Sequence, residues 1–212
     1  GPATLNGAPF TGERREKAVY VPALEPRAVP EPPRAPGGPR FEIEPPPPPV
    51  QASMTLQVLP PDAALPAGSV RVEAEEFSAQ GGGGVEVTDR KVGASGRSFF
   101  HWDHAGHWVE WKVPVARAGR YQLLIRACTA EARALRKLTV NGKTPPGAEA
   151  MELRGTGGYS NERDDWRTFV TTGADGRALL LDLPAGEATI RLENIDGESL
   201  NLDWIALAPA AE

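Results

Sequence analysis

From Val70 to Leu207 the sequence consists of short runs in which apolar and polar residues alternate, with turn residues between the runs. Alternation with a period of two predicts half-buried β-strands, and helical periodicity is almost absent. Asn141-Gly142 and Pro184-Ala185-Gly186 each separate two apolar runs and predict hairpin turns. The runs are VRVEAEEF, VEVTD, SFFHW, HWVEWKVPV, RYQLLIRAC, LRKLTVNG, WRTFVTT, RALLLDLP, EATIRLEN and LNLDWIAL. The pattern predicts an all-β antiparallel sandwich.

The first and last of these runs carry carboxylates where half-buried strands favour neutral residues. Glu73 and Glu75 share one strand face by the two-residue period, whereas Glu76 faces away and is expected to be solvated. Asp203 lies within the apolar run LNLDWIAL. If the two strands pair, three carboxylates converge, and a hard cation such as Ca²⁺ would compensate their charge. The alternative is that these are solvated surface charges.

Composition divides the chain into two parts. Seventeen of the 22 prolines fall in the first 66 residues, whereas all five tryptophans lie beyond position 100. We therefore expect a proline-rich extended arm over residues 1–66 and one β-sandwich domain over 67–212. Proline fixes φ and lacks an N–H donor, so PRAVPEPPRAPGGPR and EPPPPPV favour polyproline II.

Three β-prone islands interrupt the arm: AVYV at 18–21, FEI at 41–43 and MTLQVL at 54–59, the last of which could form a true strand. Two interpretations of the arm are open. It is either a stiff linker within a larger protein or an assembly device whose islands add to the sheet edge of another copy.

Charge and cysteine content narrow the classes of partner. The net charge is −5 without any block of Lys or Arg, which argues against nucleic acid and anionic membranes as partners. No apolar run approaches the roughly 18 residues that a membrane span needs, so we expect no membrane insertion. The single cysteine, Cys128, excludes an internal disulfide and lies in a buried-looking strand, which favours an inert core thiol over a reactive one.

Several segments together resemble the carbohydrate-binding modules of families 6 and 35. They are VEAEEF, GHWVEWKVPVARAGRYQLLIRA, LTVNG, DDWRTFV, LPAGEATIRLEN and LNLDWIAL, which occur in the family order over about 140 of the 212 residues. The resemblance implies a galactose-binding-like jelly-roll sandwich with a structural Ca²⁺ where the first and last strands meet. Carried over by position, the acidic ligands are Glu73, Glu75 and Asp203, which agrees with the charge argument.

The resemblance also implies a sugar-binding cleft between loops at one end of the sandwich. Its positions match Trp102, Trp166 and Asn201, where aromatic rings would cover the apolar face of a sugar and the amide would bond its hydroxyls. The alternative for each tryptophan is a loop anchor packed on its own domain, and for Asn201 an ordinary amide at the start of a strand. Asn201 and Asp203 are two residues apart and should point to the same side of a regular strand. If Asn201 lines the cleft and Asp203 binds the metal, the strand must twist or bulge between them.

The histidines and paired carboxylates give little support to other chemistries. His107 stands where the families commonly have an acidic residue, and with His101, Asp103 and His104 it forms a histidine-rich loop that could bind a transition metal. We favour ordinary loop histidines, because they do not share strand parity and no cysteine assists. Adjacent carboxylates such as Asp164-Asp165 point apart and cannot flank a scissile bond, and nucleophile-elbow, zinc-protease and phosphate-loop motifs are absent from the sequence.

The sequence therefore predicts a non-catalytic carbohydrate-binding module, extracellular or on the surface of a bacterial cell, whose partner is a polysaccharide or another glycan. The alternative is a structural subunit of a filament or surface assembly that binds copies of itself through the N-terminal arm.

Overall fold

The computed structural model describes residues 48–61, 63–172 and 177–210, together with the backbone of four short strands nearer the N-terminus. The chain divides into two compact units, Gly1–Pro46 and Pro47–Glu212. In the first unit, two antiparallel pairs form: β1 (Thr4–Leu5) with β2 (Ala8–Pro9), and β3 (Arg14–Arg15) with β4 (Ala18–Val19). The predicted island at 41–43 and the second half of the one at 18–21 lie outside the described residues.

The second unit contains all the remaining strands and one short 3₁₀ helix, η1 (Ala74–Glu76). Its strands are β5 (Met54–Thr55), β6 (Gln57–Val58), β7 (Val70–Glu73), β8 (Ala79–Gly81), β9 (Glu86–Thr88), β10 (Ser98–Phe100), β11 (Trp108–Val115), β12 (Gly119–Cys128), β13 (Arg133–Val140), β14 (Met151–Arg154), β15 (Arg167–Val170), β16 (Leu181–Leu183), β17 (Gly186–Asn194) and β18 (Asn201–Pro209).

These strands form two sheets that face each other across one apolar core. The eight-stranded sheet has the order β6-β15-β12-β18-β10-β9, with β16 also paired to β12 and β7 also paired to β18. The six-stranded sheet has the order β5-β14-β13-β17-β11-β8. The pairings are antiparallel except that of β14 with β5, which is parallel. This confirms the predicted jelly-roll β-sandwich.

Alternation fixes which side of each strand enters the core. In β11, Val109, Trp111, Val113 and Val115 are buried between half-buried or exposed residues. Trp111 stacks on Phe99 at 6.2 Å between ring centroids and donates its indole N–H to the Ala74 carbonyl. The period of two therefore places Trp111 in the core and leaves Trp108 on the outer face of the same strand.

The last strand, β18, is buried on both of its faces, from Asn201 through Ala208. Its pairing with β12 contains a bulge, because Trp204 lies opposite Arg126 while Leu202 lies opposite Ala127. Asp203 is the extra residue. The bulge interrupts strict alternation between Asn201 and Asp203.

The boundary between the two units lies earlier than the sequence composition predicted. Residues 54–58, assigned to the arm, form β5 and β6, which pair with β14 and β15 of the sandwich. The compact unit begins at Pro47 rather than near residue 67. Proline content favoured an extended arm, and it did not reveal that Met54 and Leu56 point into the core, each with only 3% exposure.

A fully buried arginine joins the loops at one end of the sandwich. Arg136 of β13 donates hydrogen bonds to the carbonyls of Leu135, Trp102 and Glu198, and its guanidinium lies 4.3 Å from the Trp102 ring centroid. Asp196 provides the nearest carboxylate at 3.6 Å. Burial lowers the pKa of Arg136 to about 9, so the guanidinium is charged at neutral pH. Its charge is compensated mainly by carbonyl dipoles and Asp196.

We expect Arg136→Gln to lower the free energy of unfolding by about 3–5 kcal/mol, because buried carbonyls and Asp196 lose their partner. Urea unfolding followed by tryptophan fluorescence measures the change. Arg154→Gln is the matched control, since that side chain is 71% exposed and should change stability by less than about 0.5 kcal/mol. Equal effects of the two substitutions would contradict the role assigned to Arg136.

Candidate functional site

The two strands with the unusual carboxylates, β7 and β18, lie side by side, which is the pairing that the calcium hypothesis assumed. β7 pairs with β18 so that Glu73 lies opposite Trp204 and Val72 opposite Ile205. Arg71 forms an ion pair with Glu73 at 2.6 Å, and its guanidinium lies over the Trp204 ring. Glu73 therefore already has a cationic partner within its own strand.

Asp203 is fully buried in the bulge and bonded to protein groups. Its two carboxylate oxygens accept hydrogen bonds from the Ser95 backbone N–H and hydroxyl, at 3.0–3.2 Å. The Arg126 Nε donates to Oδ2 at 2.9 Å. Burial nevertheless raises the pKa of Asp203, since desolvation outweighs the opposing effects of Ser95 and Arg126.

Glu75, in the 3₁₀ helix η1, has a buried carboxylate oxygen, Oε2, without a hydrogen-bond partner. Burial and the nearby charges of Glu73 and Glu76 raise its pKa, while its backbone and Arg97 lower it. Across residues 48–61, 63–172 and 177–210, no three acidic, histidine or cysteine side chains are grouped closely enough to hold a metal. The predicted set of Glu73, Glu75 and Asp203 is thus not gathered around one point. Of these carboxylates, Glu75 is the one with an unpartnered buried oxygen.

Trp102 is fully buried and does not offer a ring face to a ligand. Its indole N–H donates to the His107 carbonyl, Phe99 packs edge-on at 5.6 Å, and Arg136 covers the ring. The polar sequence around Trp102 suggested an exposed loop residue. Instead the indole N–H and the Trp102 carbonyl are both satisfied internally, which allows complete burial.

Trp166 and Asn201 are also buried, with 2% exposure each. The indole N–H of Trp166 donates to the Val92 carbonyl at 3.0 Å, and the side-chain amide of Asn201 donates to the Tyr159 carbonyl at 2.9 Å. The loops that they hold are bonded to each other, since the Val92 N–H donates to the Ser160 carbonyl. Both residues therefore act as anchors beneath two adjoining loops, which is the alternative raised for them from the sequence.

A cleft of about 650 Å³ lies beside these two anchored loops. It is bounded by the hairpin of β9 and β10, the loop between those strands, and the loop that carries Asn161. Its lining residues are Glu86, Val87, Thr88, Asp89, Arg90, Lys91, Arg97, Phe100 and Asn161. The cleft thus combines an aromatic ring, an amide, and charged side chains of both signs.

Lys91 and Phe100 lie close together in the lining of the cleft. The Lys91 ammonium donates to Asn161 Oδ1 at 2.7 Å and lies 5.0 Å from the Phe100 ring centroid. Burial lowers the pKa of Lys91. Phe100 is only half-buried, and it lies opposite Glu86 across the hairpin. An aromatic face with a cation and an amide beside it can cover an apolar surface and bond hydroxyl groups.

The backbone around the cleft is held in uncommon conformations. His101 and Ser160, each next to a lining residue, have φ of 60° and 53°. Gly93 has φ of 78°, and a Cβ there would collide with the Asp164 carboxyl group. A non-glycine residue with positive φ carries about 1–3 kcal/mol of backbone strain, and such residues cluster at functional sites.

Sequence reasoning gave weight to the tryptophans and missed Phe100. The signal was present in the run SFFHW: adjacent residues of a strand point to opposite sides, so Phe99 and Phe100 cannot both enter the core. Phe99 is fully buried and Phe100 faces the cleft. Lys91 and Asn161 had no comparable signal, because loop packing brings them together across 70 residues of sequence.

The histidine-rich loop does not gather its imidazoles. His107 is buried with Nε2 at 3.2 Å from Gln80, whereas His101 and His104 are exposed and adjoin Asp103. Burial lowers the pKa of His107 and so favours its neutral imidazole. Cys128 is buried, and burial raises its pKa to about 11, as expected of an inert core thiol.

Within the described part of the chain, no helix has both the length and the apolar character needed to cross a membrane.

No protein-family model matches the sequence. No curated protein sequence matches it either.

Solved structures do match. A family 35 carbohydrate-binding module from Clostridium thermocellum aligns with a TM-score of 0.55 and 20% identity, over 68% of this chain and 100% of that one. A family 35 module from Paenibacillus barcinonensis aligns with a TM-score of 0.52 and 18% identity, over 66% of this chain and 98% of that one. An isomaltodextranase from Arthrobacter globiformis aligns with a TM-score of 0.51 and 21% identity, but over only 23% of the enzyme. The sandwich therefore has the fold of the family 35 type of carbohydrate-binding module, as the sequence resemblance predicted.

Proposed function

We propose that the sandwich is a non-catalytic carbohydrate-binding module and that the cleft around Phe100 is its ligand site. The observation that carries the proposal is a half-buried aromatic ring in a cleft whose other lining groups donate and accept hydrogen bonds. A sugar ring presents an apolar C–H face and a rim of hydroxyls. Phe100 matches the face, and Lys91, Asn161 and Glu86 match the rim. The fold supports the proposal.

This site differs from the one that the sequence resemblance implied. Trp102, Trp166 and Asn201 do not contact the ligand in this proposal. Trp166 and Asn201 hold the two loops from below, and Trp102 packs in the core. Stacking on tryptophan is thereby replaced by stacking on Phe100.

A structural Ca²⁺ is a separate part of the proposal, supported by the unpartnered Oε2 of Glu75. A bound cation would satisfy that oxygen and stabilise the junction of the first and last strands of the sandwich. Glu75 would supply one ligand, and Glu73 is the neighbouring carboxylate. Asp203 is assigned to Ser95 and Arg126 instead.

Self-assembly through the N-terminal arm stays a prediction, since no contact among residues 48–61, 63–172 and 177–210 favours it.

We expect Phe100→Leu to weaken glycan binding by about 1–2 kcal/mol, roughly 5- to 30-fold in Kd, because the flat aromatic face is lost while apolar volume is kept. Affinity electrophoresis in gels containing arabinoxylan, galactomannan, pectin or laminarin identifies a ligand, and titration calorimetry with its oligosaccharide measures Kd. Phe100→Tyr, which keeps the ring, should retain binding. Lack of any binding by the native chain to these polysaccharides and to a glycan array would contradict the proposed function.

Lys91→Ala is expected to weaken binding to the same ligand, because it removes a hydrogen-bond donor and the cation over Phe100. Lys143→Ala provides the matched control, since that lysine lines a different cavity together with Asn141 and Asp182. Titration calorimetry on both variants should show a loss for Lys91 alone. Equal Kd values would place the sugar outside this cleft.

Calcium should raise the Tm by about 5–10 °C relative to EGTA if the site is saturated. Glu75→Gln is expected to abolish that difference, whereas Glu76→Gln, at the exposed neighbouring carboxylate, should preserve it. The raised pKa means that ionised Glu75 destabilises the calcium-free protein, so in EGTA the Gln variant should be as stable as the native chain or more so. Thermal unfolding measured by circular dichroism gives the Tm of the native chain and of both variants in calcium and in EGTA. Identical melting in calcium and EGTA would contradict the calcium proposal and leave the glycan proposal standing.

A further inference from the structure

Residues 48–61 and 63–66, here called the strap, precede β7 and form hydrogen bonds with both sheets of the sandwich. β5 pairs in parallel with β14 at the end of the six-stranded sheet, and β6 pairs antiparallel with β15 at the end of the eight-stranded sheet. The strap thus crosses from one sheet edge to the other within five residues, 54–58. An extended segment that pairs on both sides covers backbone groups that two edge strands would otherwise leave open.

Hydrogen bonds fix the strap at both ends of this crossing. The Ser53 N–H donates to the Ala150 carbonyl, and its hydroxyl accepts from the Ala150 N–H, each at 2.8 Å. The Leu56 N–H donates to the Glu152 carbonyl, and the Leu59 N–H donates to the Thr168 carbonyl, each at 2.9 Å. These bonds attach the strap to β14 on one side and β15 on the other.

The strap also covers apolar surface on the outside of the eight-stranded sheet. A second apolar cluster lies there, separate from the main core, and Leu59 and Leu65 pack against it. Its members are Leu124, Val170, Trp204, Ala206 and Ala208, all no more than 7% exposed. Without Leu59 and Leu65 these residues would form a contiguous apolar patch in contact with water.

β15 connects the strap to the cleft. The Leu59 N–H bonds Thr168, and two residues earlier Trp166 holds the Val92 carbonyl of the cleft loop. On its other side β15 is paired only with β12. Loss of the strap would leave this four-residue strand at the sheet edge, where local opening is easiest.

We infer that the strap is a positioning element of the ligand cleft: it holds β15 in place so that Trp166 fixes the loop that carries Lys91. This inference rests on the proposed function for its effect on affinity, but not for its effect on the order of the loop.

The test uses the full chain with Leu59→Asp and Leu65→Asp combined, which places two carboxylates against the apolar cluster. The matched control is Val58→Asp with Ala63→Asp, which adds equal charge at exposed positions of the same segment. Hydrogen exchange followed by mass spectrometry reports amide protection in residues 167–172, 88–95 and 157–166. We expect roughly tenfold or faster exchange in all three segments of the test variant, with β11 and β17 unchanged. Glycan affinity should fall in parallel.

The outcomes separate the strap from the proposed function. If 88–95 and 157–166 keep native protection while 167–172 opens, the strap is a cover and not a positioning element, and the inference is overturned. If the native chain binds no glycan, the proposed function fails, whereas the exchange data still decide the role of the strap. Should the double variant unfold globally, Leu65→Ala allows the same comparison of three segments under a milder change. Native protection of 88–95 and 157–166 in that variant also overturns the inference.

Discussion

The structure depends on a last strand that is buried on both faces. β18 pairs with β12, β10 and β7, and it has buried side chains at every position from Asn201 to Ala208. A strand of a two-layer sandwich normally has one wet face. Here Leu202, Ile205 and Leu207 enter the main core, while Trp204, Ala206 and Ala208 need a separate cover. The strap provides this cover, because its Leu59 and Leu65 pack against that side of β18.

Burial on both faces also decides how the charge of Asp203 is accommodated. A carboxylate in such a strand must find partners inside the protein, and the bulge turns it toward Ser95 and Arg126. Arg126 also donates to the Gly93 carbonyl, so the same guanidinium reaches the loop between β9 and β10. The acidic junction and the cleft loop are therefore linked through one arginine and one serine. Substitution of either residue would disturb both regions, which makes their individual contributions additive only in part.

Much of the fold could be predicted from the sequence because its signals are local. Alternation in HWVEWKVPV and the turn at Asn141-Gly142 predicted the sandwich, and the family resemblance implied the junction of β7 with β18. The possible strand at 54–59 was noted, but its pairing with the sandwich was missed, because two inward residues, Met54 and Leu56, are too few to outweigh the flanking prolines. A strand of two residues forms because of the strand it pairs with, and the local sequence does not identify that partner.

The candidate site was harder to predict for a different reason. Trp102 and Trp166 lie among polar residues, but an indole can be buried wherever one carbonyl accepts its N–H, and both residues found such a carbonyl. The cleft itself is made by loops separated by 70 residues, as in the bond between Lys91 and Asn161. Only the opposite orientation of Phe99 and Phe100 could be predicted from the sequence. Contacts of that range depend on the finished packing of the loops.

The buried sulfur of Cys128 has a practical consequence. Its thiol lies at the end of β12, beneath the cleft loops, with a pKa near 11. Almost none of it is thiolate at neutral pH, and oxidants and other chains have no route to it while the fold is intact. The chain can thus pass through surroundings that form disulfides without cross-linking to itself. Thiol-reactive labels should therefore report unfolding, since the sulfur becomes available only when the sandwich opens.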